Sequence, residues 1–475
     1  VELRDKICSL VDAKADRFVQ LNDSIWSTPE LDFKETKSAA ALIGALKAEG
    51  FQVEEGLAGI PTAFVGSWGS GKPVIGILGE FDALPGLSQK AGCPVKEPVE
   101  EGGNGHGCGH CALGSGSLAA AVAVKDYLQE TGKAGTIRYY GCPGEEHGCG
   151  KMFMTRDGVF ADLDAALTWH PGDSNSVWGI STLANRHIHF HFKGKTAHAA
   201  AAPQMGRSAL DACELMNVGV NYLREHVIPE ARIHYAYLDV GGDAPNVVQG
   251  TATTYYMIRA PKIKQVLELC DRVLDVARGA ALMTGTEMTY EIKQGLCDYI
   301  PNRALSELAA ECFSQVGAPE FDEADFALAK EFRATLSERE RSAPPLAIAQ
   351  LLGAPRAMEI AESGLCDVVL PYAHMPQMAM PGSTDVGDVS YAVPTAQLGS
   401  ACAAIGTGAH TWQMTAQVGS AIGHKGLLTA GKALALTAAR LFEDPAVIDR
   451  AKQEHKLNVP DGYLCPVPDD VKPSL

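Results

Sequence analysis

The chain holds 475 residues, 46% hydrophobic and 20% charged, a composition that supports packed cores rather than disorder and a length that favours two compact units. Forty Lys and Arg against 57 Asp and Glu leave a net charge of −17, which repels phosphate backbones and anionic lipid, so neither nucleic acid nor a membrane surface is an expected partner. No apolar run approaches the roughly 20 residues of a membrane span, no basic, then apolar, then small-residue signal opens the sequence, and 13 scattered cysteines suit a reducing, cytoplasmic setting.

Residues 5–24 and 37–49 carry apolar positions at helical spacing, and the second run ends at Gly50 as a C-cap does. "PVIGILGEFDALPG" (73–86) reads as a buried strand that opens into a loop at Asp82. Next comes "HGCGHCALGS" (106–115), which sets His106, Cys108, His110 and Cys111 just ahead of a helix predicted over 115–131. "GTIRYYGCPGEE" (135–146) and "LDAALTWHP" (163–171) repeat the strand-then-loop pattern. Strands alternating with helices predict an α/β fold with a mostly parallel sheet flanked by helices.

The pattern changes near residue 183. "NRHIHFHFKG" alternates strictly, with Ile188, Phe190 and Phe192 on one face and His187, His189 and His191 on the other. The helix and strand candidates that follow complete a β-α-β-β-α-β order, the ferredoxin-like α+β plan, over 183–296. The rest, 1–182 plus 297–475, then forms a discontinuous first domain. "ACAAIGTGAH" (401–410) reads as another strand-loop unit and "GHKGLLTAGKALALTAARLF" as a closing amphipathic helix, whereas 315–395 offers little clear periodicity.

In such sheets functional groups collect beyond the carboxyl ends of the strands, where Asp82, Glu145, Glu146 and His170 fall. Imidazole, thiolate and carboxylate from separate segments are what a zinc- or manganese-type ion takes, so Cys108, His110, Glu146, His170 and His410 are candidate ligands. Glu145, adjacent to Glu146 but pointing elsewhere, could accept a proton from water; the alternative is a solvated loop carboxylate. Cys108 and Cys111 also match C-x-x-C spacing, although a redox pair would be expected in a smaller βαβ context. His198 sits in an exposed loop where it could support an oxyanion. Arg259 and Asn246 could clamp a substrate carboxylate, with a surface salt bridge the plain alternative for Arg259. The His187, His189 and His191 stripe reads as a solvent or partner face, with a second metal site as the alternative.

Together "TPELDFKETKSAAALIGALKAEGF", "FDALPG", "HGCGHC", "PGEE", "TWHP", "KTAHAA", "PNVVQ" and "GTGAHTWQ" resemble the M20 family of metallopeptidases, its amidohydrolase branch (subfamily D), over nearly the whole chain. The resemblance implies a hydrolase using one or two Mn2+ or Zn2+ ions per subunit, with Cys108, His110, Glu146, His170 and His410 as ligands and Glu145 as general base. It implies a lid at 183–296 that also dimerises, with His198 reaching the neighbouring subunit's active site and Asn246 and Arg259 holding a substrate carboxylate. The expected reaction is amide hydrolysis of an aromatic acyl-amino acid such as p-aminobenzoyl-glutamate by a homodimer, with a related second subunit also possible. Alternatives are another conjugate, an aromatic amine, or a non-catalytic metal-binding subunit. One departure stands out. The family has Asp after the motif's second His and a further His two residues on, where this chain has Cys111 and Leu113; losing that carboxylate should weaken orientation of a ligand or change metal preference.

Overall fold

The apolar run that begins at Val74 is buried on both sides. Ile75 and Ile77 enter one core, while Val74 and Leu78 enter a second on the opposite face, as in a central strand covered by helices on both sides. The computed structural model describes residues 2–475, so Val1 of the first expected domain lies outside the described residues. In chain order the strands are β1 (Gln52–Glu55), β2 (Phe64–Ser70), β3 (Val74–Glu80), β4 (Gly135–Cys142), β5 (Ala165–Gly172), β6 (Ser176–Val177), β7 (Ile180–Thr182), β8 (Ala184–Lys193), β9 (Arg232–Asp239), β10 (Thr251–Ala260), β11 (Glu287–Leu296), β12 (Met375–Met380) and β13 (Thr395–Ala401).

The larger sheet has the order β1-β2-β4-β3-β5-β13-β6. Its central strands β4, β3, β5 and β13 run parallel, and antiparallel pairs form its edges. All four central strands therefore end on one side, at Glu80, Cys142, Gly172 and Ala401. Helices His110–Thr131 and Ala421–Glu443 pack along each other on one face. Helices Gly150–Arg156 and Val386–Ala392 cover the other through Met152, Phe153 and Val389.

Several elements differ from the sequence-based expectation. The helix expected over 5–24 is two, Leu3–Asp12 and Ala15–Trp26, because Lys14 leaves helical geometry and its ammonium pairs with Glu49 and Asp126 at 2.6 Å each. The helix expected from 115 begins at His110. Gly114 and Gly116 weaken its sequence signal but are required by packing: a Cβ on Gly116 would lie 2.8 Å from Trp169 and 2.9 Å from the Leu427 carbonyl. Residues 402–410 are loop, the strand there being β13 just upstream. The segment 315–395, which shows little periodicity, contains helices Glu323–Ala334, Glu338–Leu352, Ala354–Ser363 and Val386–Ala392 together with β12.

The second sheet, β11-β8-β10-β9, is antiparallel throughout. Helices Ala209–Leu223 and Ile263–Thr284 cover one face, burying Ile188, Phe190, Phe192 and Tyr256 against Met216, Val220, Val266 and Val273. The histidines of β8 occupy the other face, as the alternation predicts. A short parallel pair joins β7, which precedes the second sheet in the chain, to β12, which follows it. Among the described residues no helix is long and apolar enough to cross a membrane.

Candidate metal centre

Four loops leave the carboxyl ends of β3, β4, β5 and β13, and their polar side chains converge. The turn 106–109 carries Cys108 and then enters the helix through Gly109, at φ +79°, where a Cβ would lie 2.8 Å from Pro171. Glycine is thus required for the turn to approach the end of β5. Cys108 Sγ lies 3.4 Å from His170 Nε2. His110, at the head of the helix, is fully buried, with Nδ1 2.8 Å from Asp82 Oδ1. Asp82 also accepts the Glu146 backbone N–H at 2.9 Å, so one carboxylate sets both the imidazole and the loop after β4.

His410 arrives from the loop after β13. Its backbone N–H donates to the Gly107 carbonyl at 2.7 Å and its φ is +61°, a conformation that costs a non-glycine residue about 1–3 kcal/mol and is commonest at functional sites. Its ring Nε2 lies 3.1 Å from Glu146 Oε2. Gly406, in the same loop, would place a Cβ 2.5 Å from the Glu340 carbonyl, so helix Glu338–Leu352, from the segment with little periodicity, braces this loop.

Cys108, His110 and His170 form one group whose donor atoms lie within 4.8 Å of one another; Cys108, Glu146 and His410 form a second, and Glu80, His110 and Glu145 a third. His110 Nε2, Glu80 Oε2 and Glu146 Oε1 are buried without hydrogen-bond partners, although His110 Nε2 and Glu80 Oε2 approach to 3.2 Å. Unpaired buried polar atoms are costly. One thiol, three imidazoles and a carboxylate aimed at a shared space suit a divalent cation of the zinc or manganese type.

The electrostatics separate the two adjacent glutamates. Against burial, His410 and His110 hold the Glu146 carboxyl down at about 2, so it is ionised. Burial, then Glu80, Asp385 and Glu146, push Glu145 well above the ordinary range, which suits a group that takes up and returns protons. Burial and the Glu146 carboxylate push the Cys108 thiol up, so a cation would be needed to ionise it.

The other expected residues lie apart from this cluster. Arg259 is half-buried on β10, its Nη1–H donating to the Pro381 carbonyl at 3.2 Å. His198 and Asn246 occupy neighbouring exposed loops, joined by the Ala199 N–H to the Asn246 carbonyl at 2.9 Å. The N–H groups of Ala200 and Ala201 both donate to His198 Nδ1 at 3.2 Å, which leaves the neutral ring's proton on Nε2. His106 is buried and its Nε2 meets the Ile25 carbonyl at 3.1 Å. The two cysteines have different surroundings: Cys108 Sγ faces His170, whereas Cys111 enters the hydrophobic core with Leu113 and Cys402. The carboxylate that the sequence lacks directly after His110 is supplied, for ring orientation, by Asp82.

Glu80, Lys151 and Asp385 join the site without having been expected from the sequence. Lys151 is fully buried, its ammonium 2.7 Å from Glu80 Oε1 and 2.6 Å from Asp385 Oδ1. Glu80 had a signal, since it precedes Asp82 by two residues at the end of β3. Lys151 and Asp385 had none, one being an ordinary helical lysine in sequence and the other lying in the segment 315–395.

The model of peptidase family M20/M25/M40 matches residues 76–417. The chain belongs to this family. This M20 chain is therefore a metal-binding hydrolase that acts on amide bonds. It is 46% identical over 468 residues to a subunit of the p-aminobenzoyl-glutamate hydrolase of Escherichia coli (strain K12), covering 98% of this chain and 97% of that one. It is 28% identical over 480 residues to the Xaa-Arg dipeptidase of Mus musculus, covering 97% and 94%. Among solved structures, the M20 chain is similar to an aminobenzoyl-glutamate utilization protein from Klebsiella pneumoniae (TM-score 0.59, 15% identity, 90% and 97% covered). It is also similar to a dinuclear metal-binding M20 peptidase from Bacillus subtilis (TM-score 0.58, 16% identity, 91% and 99% covered). Both likenesses are of fold.

Proposed function

We propose that the chain hydrolyses the amide bond of an aromatic acyl-amino acid of the p-aminobenzoyl-glutamate type. Cys108, His110, Glu146, His170 and His410 would hold one or two divalent cations, Zn2+ or Mn2+, and the thiol ligand favours zinc. The observation that carries the reading is the pair of donor groups sharing Cys108; the name of the Escherichia coli relative supplies the substrate class. When bound, such an ion polarises the scissile carbonyl and acidifies water.

In this reading Glu145 takes a proton from the attacking water and passes it to the leaving amine. Burial and the Glu80, Asp385 and Glu146 carboxylates raise its proton affinity, as uptake of a proton from water requires. Asp82 holds the His110 ring, and the Lys151 ammonium neutralises Glu80 beneath the site. His198 offers its Nε2–H to the developing oxyanion, and Asn246 and Arg259 clamp the substrate's free carboxylate. Since His198 lies in an exposed loop, residues 183–296 act as a lid and dimerisation domain that brings it to the site of a neighbouring subunit. That the Escherichia coli relative is one subunit of its enzyme supports a related second chain as a further partner, and 13 free cysteines support a cytoplasmic setting.

A panel of p-aminobenzoyl-glutamate, other N-acyl amino acids, Xaa-Arg dipeptides and aromatic amines, run with metal analysis, tests the substrate class. Fastest turnover of a dipeptide would replace the aromatic acyl reading with that of the Mus musculus relative. Glu145→Gln is expected to retain bound metal and lose turnover by about 100-fold or more; near-normal turnover would overturn the mechanism.

A further inference from the structure

The open face of the second sheet carries another set of ligating side chains. β8 places His189 and His191 two residues apart, hence on the same side, and Glu291 of β11 pairs directly with His189. A nitrogen from each imidazole and a carboxylate oxygen of Glu291 lie within 4.8 Å of one another. The rings stand nearly perpendicular, at 77°, with centroids 6.2 Å apart.

Two details point to a ligand. His191 Nδ1 lies 3.0 Å from the Thr253 hydroxyl, directly across on β10, whereas its Nε2 is buried and has no hydrogen-bond partner. With Nδ1–H donating to Thr253, the free lone pair sits on Nε2, the arrangement that an outer hydrogen bond imposes on metal-bound histidine. His187 is occupied differently: its Nδ1 meets the Tyr255 hydroxyl and the Gln294 side-chain amide. The competitor is the Lys293 ammonium, 3.3 Å from Glu291 Oε2; that exposed pair is weak and can open.

We propose that His189, His191 and Glu291 form a second divalent-metal site, distinct from the centre at Cys108–His410. Two imidazoles and one carboxylate suit zinc and its transition-metal neighbours and leave a position open for water or an anion. Mg2+ and Ca2+, which prefer oxygen ligands throughout, are not expected to bind there. The site lies on the same open face as Arg259, three alternate positions along β10 from Thr253.

The test counts zinc. Full-length protein is stripped with chelator, reloaded with Zn2+, freed of excess by gel filtration and analysed for metal per chain. His189→Gln/His191→Gln should hold one zinc fewer than the wild type with unchanged circular dichroism, and Thr253→Val should keep the site at about 10-fold lower affinity. Zinc in the Cys108–His410 centre is common to all the proteins and cancels, so the outcome does not depend on that reading. Reloading with Mg2+ should give no difference between wild type and double variant. A second measurement needs no variant: Zn2+ should protect His189 of the wild type from diethylpyrocarbonate, read by peptide mass. Equal zinc content, or equal modification with and without Zn2+, would overturn the site.

Discussion

Glu35 shows how one buried carboxyl can govern a loop that bears catalytic candidates. It lies beneath the turn before Glu145, accepting the Gly144 N–H at 2.8 Å and the Thr62 hydroxyl at 3.1 Å. Burial, then Asp82, raises its pKa from 4.5 to about 8. Folding therefore favours the protonated form: its contribution is fully present below pH 4.5 and is lost as pH rises through about 8. Glu35→Gln retains an acceptor for Gly144 without the titration, so its unfolding free energy should fall less than the wild type's across that window. Parallel urea-derived stability curves would sink the assignment. At the same scale, Cys111 teaches caution about motif departures. The residue type changed, but the orienting carboxylate on His110 comes from Asp82, 28 positions upstream.

Helix Gly150–Arg156 acts as a bolt between elements. Through Lys151 it ties β3, at Glu80, to the start of helix Val386–Ala392, where Asp385 accepts both the Lys151 ammonium and its backbone N–H, the latter at 2.9 Å. Against burial, Lys151, His110 and His170 hold Glu80 below its ordinary range, so Glu80 is ionised only while that company is intact. Lys151→Met would strand two buried carboxylates, and breaking a buried pair from one side costs about 3–5 kcal/mol. The expected result is a lower urea midpoint in that range with an unchanged denaturant slope. Lys151→Met/Asp385→Asn should recover part of the loss; a double variant no better than the single one would mean that the two residues are not coupled.

At the scale of the molecule, the donor cluster sits at the carboxyl edge of the larger sheet while His198 projects from a loop of the second. If the lid acts between subunits, Glu145→Gln and His198→Ala homodimers are each nearly inactive, but their mixture regains activity. A hybrid dimer contains one site with both Glu145 and a donated His198. No recovery after denaturation and co-refolding of the two variants, with mixed dimers verified by mass, would place His198 in its own subunit's site or outside the reaction.

Much of this organisation is carried by local pattern. The strand-then-loop repeats at 73–86, 135–146 and 163–171 are legible because buried parallel strands are short apolar runs and their carboxyl ends must open into polar loops. The β-α-β-β-α-β order of the second sheet is legible because alternation and helical spacing are properties of neighbouring residues. Lys151, Asp385 and the bracing of the His410 loop by helix Glu338–Leu352 are not, since each depends on partners over 60 residues away that only packing brings together. The same limit explains the first turn of helix His110–Thr131. Its glycines look like poor helix formers until the Glu80 carbonyl is seen against Gly114, and Trp169 and Leu427 against Gly116. The sequence by itself determined the kinds of donor available, the strand-then-loop repeats of the larger sheet, the β-α-β-β-α-β order of 183–296 and the family. Tertiary structure alone decided which donors share a space, how far the two adjacent glutamates differ in proton affinity, and that Cys111 belongs to the core. Chemistry at a site depends on distance and burial, and neither is a property of residues taken in order.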